Sequence, residues 1–139
     1  MPAFKHSLMV EWGDCDALGI VFYPAYFRWM DATFHRLTKA AGFDRKTLEA
    51  RDGVAGCPLV DARCSFVSPV RFYDELDILA TVEKLGGSSM TLNYRFERDG
   101  KHIAEGVETH VFVRETANGL GKAPIPDDIR QALEAFMND

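Results

Sequence analysis

The chain of 139 residues carries a formal net charge of −5, and 47% of its residues are hydrophobic and 27% charged. This length and composition predict one globular domain over 1–139 that buries roughly 70% of its unfolded-chain surface. The negative charge argues against nucleic acid or an anionic membrane as the main partner. The first residues contain no apolar signal segment, and no stretch is apolar for long enough to span a membrane. We therefore expect a cytoplasmic protein.

The three cysteines, Cys15, Cys57 and Cys64, form neither a disulfide framework nor a close-paired metal motif. The four histidines do not form a metal-binding pair on any predicted helix face. Cys15 lies between two aspartates whose negative field disfavours a thiolate, which argues against a cysteine nucleophile. We therefore expect no metal ion, no bound cofactor and a reducing compartment.

The first part of the chain predicts a strand, a loop and a long helix. Alternation favours a strand over 6–11, and a polar stretch with two glycines over 13–19 is typical of a loop. From 24 to 41 the apolar residues recur at spacings of three and four, which predicts a helix. Pro24 suits its first turn and Gly42 the position just past its end.

This helix is apolar around much of its circumference. Tyr26, Trp29 and Ala32 extend the main apolar stripe, so we expect the helix to be buried on several sides. A shorter helix is predicted over 45–51.

The rest of the chain predicts four strands and a final helix. The strands cover 57–71, 76–85, 90–96 and 103–113, as the periodicity falls to two. Asp99-Gly100 is a strong hairpin signal between the last two. The residues expected on one face of the last strand are Ile103, Val107, Thr109, Val111 and Val113. A C-terminal helix is expected to begin near Pro126.

The element order predicts the architecture. One strand, a long buried helix and four consecutive strands indicate an α+β domain, and short antiparallel connections favour a meander. A curved sheet can wrap around a single helix. Because such a sheet leaves an edge strand without partners, we expect a homo-oligomer that is at least a dimer.

The densest candidate for chemistry is the segment 13–26, in which Asp14 and Asp16 precede the long helix. Thioester hydrolysis needs a carboxylate that attacks the carbonyl or activates water. It also needs N–H groups that hold the developing oxyanion, and a helix N-terminus supplies them. The alternative is turn chemistry, in which the two aspartates cap local N–H groups. A calcium loop is disfavoured because the later oxygen ligands and the closing Glu are absent.

The same region carries a family resemblance. Residues 13–31 read Gly-Asp-Cys-Asp-x-x-Gly-Ile-Val-x-Tyr-Pro-x-Tyr, followed shortly by Arg-Trp-Met-Asp. This motif closely resembles the bacterial 4-hydroxybenzoyl-CoA thioesterase family of hotdog proteins, and the resemblance continues through 53–60 and 65–67. It implies the hotdog fold, a curved antiparallel sheet wrapped around one long central helix. It also implies hydrolysis of an aromatic acyl-CoA, such as 4-hydroxybenzoyl-CoA or a benzoyl analogue, by a dimer or a dimer of dimers (a homotetramer).

The resemblance assigns roles to three residues near the helix. Asp16 takes the position of the catalytic aspartate, acting as nucleophile or general base, and the backbone N–H of Tyr23 polarises the thioester carbonyl. Asp31 falls where the family binds the 4-hydroxyl of its acyl group. Its spacing puts it beside the apolar stripe of the predicted buried helix, where a carboxylate is costly unless paired or liganded. The alternative for Asp31 is a structural carboxylate within the core or at a dimer interface.

The resemblance also implies substrate contacts from elsewhere in the chain. A segment that lines the family's substrate site across a subunit interface is matched by Cys57, Pro58 and Leu59. Gly86-Gly87 replaces two arginines that hold the CoA phosphates, which leaves Ser88 as a neighbouring candidate. Backbone N–H groups around this turn are a second way to bind phosphate. Nearby cations that are alternative phosphate ligands are Lys84, Arg114 and Lys122.

Three other functions stay open at this point. The same chemistry suits a short aliphatic acyl-CoA, since apolar residues near the helix serve a core as well as an aryl ring. A hotdog hydratase would pair a histidine with an acid, for which Asp31 and His35 are helical neighbours. A non-catalytic acyl-CoA-binding module is the remaining alternative.

Overall fold

The computed structural model describes residues 3–137, and its elements follow the predicted order closely. In chain order they are β1 (Phe4–Met9), a 3₁₀ helix (Trp12–Asp14), α1 (Pro24–Ala40), α2 (Arg45–Asp52), β2 (Leu59–Phe66), β3 (Glu75–Leu85), β4 (Ser89–Arg98), β5 (Lys101–Val111), β6 (Val113–Thr116), β7 (Gly119–Lys122) and α3 (Asp127–Glu134). Every predicted helix and strand is present. The small β6–β7 hairpin was not predicted.

The ends of α1 agree with the signals in the sequence. Pro24 opens the helix, and Gly42 lies just beyond it with a φ of +90°, a left-handed value that glycine adopts at little cost. The buried residues of α1 lie on the side that faces the sheet, and they are Ala25, Tyr26, Trp29, Met30, Thr33, Phe34, Leu37 and Thr38. The opposite side of α1 is exposed, so the prediction of burial on several sides is wrong for a single protomer.

Five strands form one antiparallel sheet in the order β1-β3-β4-β5-β2. The predicted meander of four consecutive strands is therefore correct only for β3, β4 and β5, because β2 pairs with β5 instead of β3. The connection over 67–74 carries the chain from the β2 edge of the sheet to β3, which lies next to the opposite edge strand β1. Two backbone contacts fix this connection to the segment before α1. Ile20 and Arg71 form an isolated β-bridge, and the Val21 N–H donates to the Val70 carbonyl at 2.8 Å.

The inward face of β5 differs from the predicted one. The residues that point toward α1 are Ala104, Gly106, Glu108 and His110, while Val107, Thr109 and Val111 lie on the outer face. A register shift opposite Phe96 and Glu97 places Ile103 and Ala104 side by side in the core, which reverses the alternation after Ile103. A strict alternation that assigns Ile103 and Val113 to the same face therefore places the residues between them on the wrong faces.

The hydrophobic core lies between α1 and the concave face of the sheet, which confirms the α+β class. Strand β2 forms one edge, paired on one side with β5, and its residues are mostly exposed or half-buried. Large apolar side chains on or beside this edge are exposed, namely Leu59, Val60, Phe66 and Val67. Within residues 3–137, no helix has the length and apolar character needed to cross a membrane.

Candidate active site

Asp14 fixes the loop that precedes α1. Its Oδ1 accepts from Arg28 Nη2 on the helix at 2.5 Å, and its Oδ2 accepts from the Glu11 N–H at 2.9 Å. The carbonyl of Asp14 also accepts from the Phe22 N–H at 2.8 Å. Both carboxylate oxygens are thus occupied by structural contacts, so Asp14 anchors the loop to the helix.

Asp16 makes a turn and keeps one carboxylate oxygen free. Its Oδ1 accepts from the Leu18 N–H at 2.8 Å, and its carbonyl accepts from the Gly19 N–H at 2.9 Å. Gly19 has a φ of +76°, which this tight turn requires. Within residues 3–137, Oδ2 has no hydrogen-bond partner. The turn and the chemical interpretations of Asp16 are therefore compatible, since one oxygen serves the turn and the other is available.

The start of α1 carries an N–H group without an acceptor. The Ala25 N–H donates to Phe22 and the Tyr26 N–H to Tyr23, at 2.9 and 3.1 Å, and Pro24 has no N–H. Among the described residues, the Tyr23 N–H has no hydrogen-bond acceptor. The positive end of the helix dipole adds to this donor, so an oxyanion would be stabilised here.

Asp16 and Tyr23 line one cavity of about 470 Å³. Its other walls come from the start of α1 and from the chain that follows β2, and they are Ile20, Val21, Phe22, Tyr26, Phe66, Val67, Ser68, Pro69 and Val70. Asp16, which has a free carboxylate oxygen, and Tyr23, which has a free N–H, thus line one cavity together with aromatic side chains. These are the groups that an attack on an acyl carbonyl needs.

Two side chains around this loop stay protonated. Burial raises the pKa of the Cys15 thiol, and the neighbouring Asp14 and Asp16 carboxylates raise it further, which disfavours a thiolate nucleophile. Burial raises the pKa of Tyr26, a residue of the cavity wall, to about 12. Tyr26 therefore offers a neutral hydroxyl, and Asp16 supplies the one carboxyl group among the residues that line this cavity.

A larger cavity of about 810 Å³ lies beside the C-terminal half of α1. Its walls include Phe34 and His35 on α1 and the segment Gly56–Pro58 before β2, and Lys39, Arg45 and Lys46 also lie on it. Burial raises the pKa of the Cys57 thiol to about 12, so Cys57 presents a neutral group to this cavity. The predicted substrate contacts Cys57 and Pro58 thus lie together, but not with Asp16.

The two cavities occupy opposite ends of β2. Pro58 lines the larger cavity and Phe66 the smaller one, and the chain between them is extended. Eight extended residues span about 26 Å, too far for one acyl group to contact both ends within a protomer. The predicted catalytic and substrate-binding residues therefore form two half-sites.

Comparisons with known proteins match the fold over most of the chain. A profile of the thioesterase-like superfamily matches residues 10–133. The chain belongs to this superfamily.

Two solved thioesterases have the same fold. A gentisyl-coenzyme A thioesterase is 34% identical, with a TM-score of 0.79 over 94% of this chain and 99% of that one. The 4-hydroxybenzoyl CoA thioesterase of Pseudomonas sp. strain CBS-3 is 27% identical, with a TM-score of 0.84 over 94% and 98%. A 1,4-dihydroxy-2-naphthoyl-CoA hydrolase of Synechococcus sp. (strain WH7803) is 28% identical over 96% of this chain and 90% of its own. The predicted resemblance and the hotdog fold are confirmed, and the similar proteins are named as hydrolases of CoA thioesters.

Among the other residues assigned from the thioesterase resemblance, Asp31 lies in a different environment from the one expected. Its side chain is 65% exposed and 3.4 Å from His35 Nε2, one turn further along α1. The prediction of a buried position is wrong because the sheet covers only one side of α1. A carboxylate at this exposed position avoids the desolvation cost of the core and is accessible to a ligand or to a second subunit.

Leu59 and Ser88 lie away from the Asp16 cavity. Leu59 begins β2 and is exposed, next to Pro58. Ser88 belongs to the turn between β3 and β4, where its carbonyl accepts from the Phe112 N–H at 2.7 Å. Arg130 donates to the Gly86 carbonyl of the same turn at 2.6 Å and is a further cation beside it. No group of three metal-ligating side chains occurs within 3–137.

Two features of this superfamily member were not predicted from sequence. The segment from Phe66 to Val70 forms a wall of the Asp16 cavity, and only the end of the strand pattern marks it. A buried pair, Glu108 and His110, lies on the inner face of β5. His110 is buried, and both of its ring nitrogens have hydrogen-bond partners. Glu108 was missed because the phase assigned to this strand was wrong.

Proposed function

We propose that the protein hydrolyses an aromatic acyl-CoA thioester, such as 4-hydroxybenzoyl-CoA or a benzoyl-like analogue, to the free acid and CoA. The observation that carries the proposal is that Asp16, with a free carboxylate oxygen, and Tyr23, with an acceptor-free N–H, line the same cavity. Superfamily membership supports the thioester chemistry. The similar proteins with gentisyl, 4-hydroxybenzoyl and dihydroxynaphthoyl substrates support an aromatic acyl group.

The reaction begins when the thioester carbonyl oxygen accepts a hydrogen bond from the Tyr23 N–H. The helix N-terminus stabilises the negative charge that develops on this oxygen, and the loss of one such donor typically costs roughly 100- to 1000-fold in rate. Asp16 Oδ2 then acts in one of two ways. As a nucleophile it attacks the carbonyl carbon, expels the CoA thiolate and forms an anhydride that water cleaves. As a general base it takes a proton from a water molecule that attacks the same carbon.

We propose that a second copy of the chain completes the site, so that the active form is a dimer or a dimer of dimers. The separation of about 26 Å between the two half-sites supports this, because Cys57, Pro58 and Leu59 reach an acyl group near Asp16 only from another subunit. The unpaired outer edge of β2 and its exposed apolar side chains also favour a partner of the same kind. We propose that Asp31, which is exposed in the protomer, binds the hydroxyl of the acyl ring in this assembly.

The CoA phosphates need cationic or N–H donors at the mouth of the site. Ser88 and its turn are one candidate, and Arg130 beside the Gly86 carbonyl is a cation of the same surface. We place the protein in a reducing compartment such as the cytoplasm, since its three cysteines are free thiols.

The test is a thiol-release assay on 4-hydroxybenzoyl, benzoyl, phenylacetyl, acetyl, butyryl and decanoyl-CoA. Asp16→Asn preserves the acceptor for the Leu18 N–H, so the fold should persist while turnover of the aromatic esters is lost. Asp14→Asn is the matched control, because it weakens the ion pair with Arg28 and should lower stability but retain turnover. Equal turnover by wild type and Asp16→Asn would contradict the assignment, and hydrolysis of the aliphatic esters alone would refute the aromatic substrate.

A second variant tests the role of Asp31. Asp31→Asn should reduce the preference for 4-hydroxybenzoyl over benzoyl-CoA, because the amide accepts a phenol hydrogen bond more weakly than a carboxylate does. An unchanged ratio of kcat/KM for these two esters would remove Asp31 from the substrate site.

A further inference from the structure

A buried acid and a buried base lie next to each other on the inner face of β5, and the proposed reaction uses neither. Glu108 is 3% exposed and His110 is 4% exposed. His110 Nε2 lies 3.5 Å from Glu108 Oε1, and the imidazole ring stacks on the Phe34 ring of α1 with centroids 3.8 Å apart and planes 3° apart. An ionisable pair at this depth is costly unless its hydrogen bonds are satisfied.

Three contacts favour a proton on each ring nitrogen of His110. Its Nδ1 lies 3.0 Å from the Cys57 carbonyl oxygen, which can only accept, so Nδ1 carries a proton. Its Nε2 faces a carboxylate, which also favours a proton at that position. The face of Phe34 is the negative part of the ring quadrupole and attracts a cation stacked on it.

The other titratable side chains around the pair do not balance a charge on Glu108. Tyr94 on β4 lies close to Glu108, and burial together with that carboxylate raises the pKa of Tyr94, so its hydroxyl stays neutral. Within residues 3–137 this hydroxyl has no hydrogen-bond partner. Asp31 Oδ1 and His35 Nε2 on α1 lie 3.4 Å from each other at the surface. Within residues 3–137, His110 is the basic side chain in contact with Glu108.

The contacts of His110 lead to the larger cavity. Phe34 and Cys57 both line this cavity. His110 stacks on the Phe34 ring and hydrogen-bonds to the Cys57 carbonyl. We propose that His110, charged against Glu108, is a positioning residue that keeps the Cys57 segment and the Phe34 ring in the geometry that the acyl-CoA substrate requires. This inference rests on the proposed function, in which the Cys57 segment completes the site of another subunit.

The kinetic test compares His110→Ala, His110→Asn and Glu108→Gln with wild type on the ester that wild type hydrolyses fastest. His110→Ala removes a charged hydrogen bond, so KM should rise about tenfold to 100-fold with little change in kcat, since Asp16 and Tyr23 are untouched. His110→Asn retains a donor near the position of Nδ1 and should recover part of the loss. His102→Asn is the matched control on the same strand, because His102 contacts neither Cys57 nor Phe34, and it should behave as wild type.

A second readout does not depend on turnover. The rate at which iodoacetamide modifies Cys57, followed by mass spectrometry, reports whether the Cys57 segment has moved. In His110→Asn this rate should rise while the rates of Cys15 and Cys64 stay at wild-type values. Equal acceleration of all three cysteines, or of none, would show that His110 stabilises the fold without positioning this segment.

The protonation state is tested on the wild-type protein, so the test does not require a folded variant. The ¹⁵N spectrum of histidine-labelled protein at neutral pH should show both ring nitrogens of His110 protonated, and an unprotonated Nε2 would overturn the ion pair. If no ester is hydrolysed, the proposed function fails. The alkylation rates still test whether His110 holds the Cys57 segment, and the spectrum still tests whether both of its ring nitrogens are protonated. If wild type is active and the KM values of the His110 variants are unchanged, only the positioning role fails.

Discussion

Gly106 lies on the inner face of β5 where the strand approaches Met30 of α1. A Cβ atom at this position would lie 2.6 Å from Met30 Sδ, 2.7 Å from Met30 Cε and 3.4 Å from the Arg63 carbonyl oxygen. Ordinary contacts between such atoms are about 3.5–4.0 Å, so the overlap with Met30 is about 1 Å. Met30 is completely buried, and the close-packed interior leaves its side chain little room to move.

We therefore expect Gly106→Ala to lower the free energy of unfolding by about 1–3 kcal/mol, the usual cost of an extra methyl group in a packed core. For 139 residues the entropy of unfolding is about 0.3 kcal/mol/K, so the melting temperature should fall by about 3–10 °C. Urea titration and thermal scans at one fixed protein concentration measure both quantities. Gly13→Ala is the control, since a Cβ there has no atom within 4 Å and the backbone is not left-handed.

The double variant tests the assigned cause. Met30→Ala alone should cost about 2–5 kcal/mol through the cavity that it leaves. Gly106→Ala partly fills that cavity, so the double variant should cost less than the sum by about 0.5–3 kcal/mol. Strict additivity, or a Gly106→Ala protein as stable as the Gly13→Ala control, would refute the reasoning.

Two further predictions concern a buried hydroxyl and a helix cap. Tyr94→Phe should leave the free energy of unfolding unchanged or raise it, because burial of an unpartnered hydroxyl costs about 1–3 kcal/mol; a clear loss of stability in urea would indicate a hydrogen bond with Glu108. Asp44 caps α2 by accepting from the Thr47 N–H at 2.8 Å, a bond that lowers the pKa of Asp44 below its ordinary 3.8. The stability from this cap is present above pH 3.8 and is lost as the pH falls through the lower folded value, so Asp44→Ala should be less stable than wild type at pH 7 and should approach it in strong acid. A stability difference that does not change with pH would argue against a charged cap.

Local signals in the sequence were sufficient for most of the fold. Pro24 and Gly42 bracket α1 as predicted, and Asp99-Gly100 forms the β4–β5 turn with both residues at positive φ. These signals depend on the conformation of one or two residues, which neighbouring elements do not change. The neighbour of β2 was not predictable in this way, because pairing with β5 depends on contacts between residues far apart in the chain.

The site was less predictable than the fold. The motif around Asp16 identified the loop and the helix start, but spacing alone did not distinguish Asp14, which is paired with Arg28, from Asp16, which keeps a free oxygen. The inward position of Glu108 was missed because β5 carries apolar residues on both faces, and a register shift sets its phase. The exposure of Asp31 depends on which side of α1 the sheet covers, and periodicity does not determine this.

The order of strands in the sheet has a consequence for how the chain folds. The pairs β3–β4 and β4–β5 are closed by short turns, whereas Phe4 pairs with Ala80 and Leu59 with His110. Loop closure over such separations is entropically costly, so both edge strands should join a preformed three-stranded sheet late in folding. Until β2 joins, the His110 edge of β5 is open to pairing with other chains. Newly made protein is then most prone to aggregate while β2 is still unpaired.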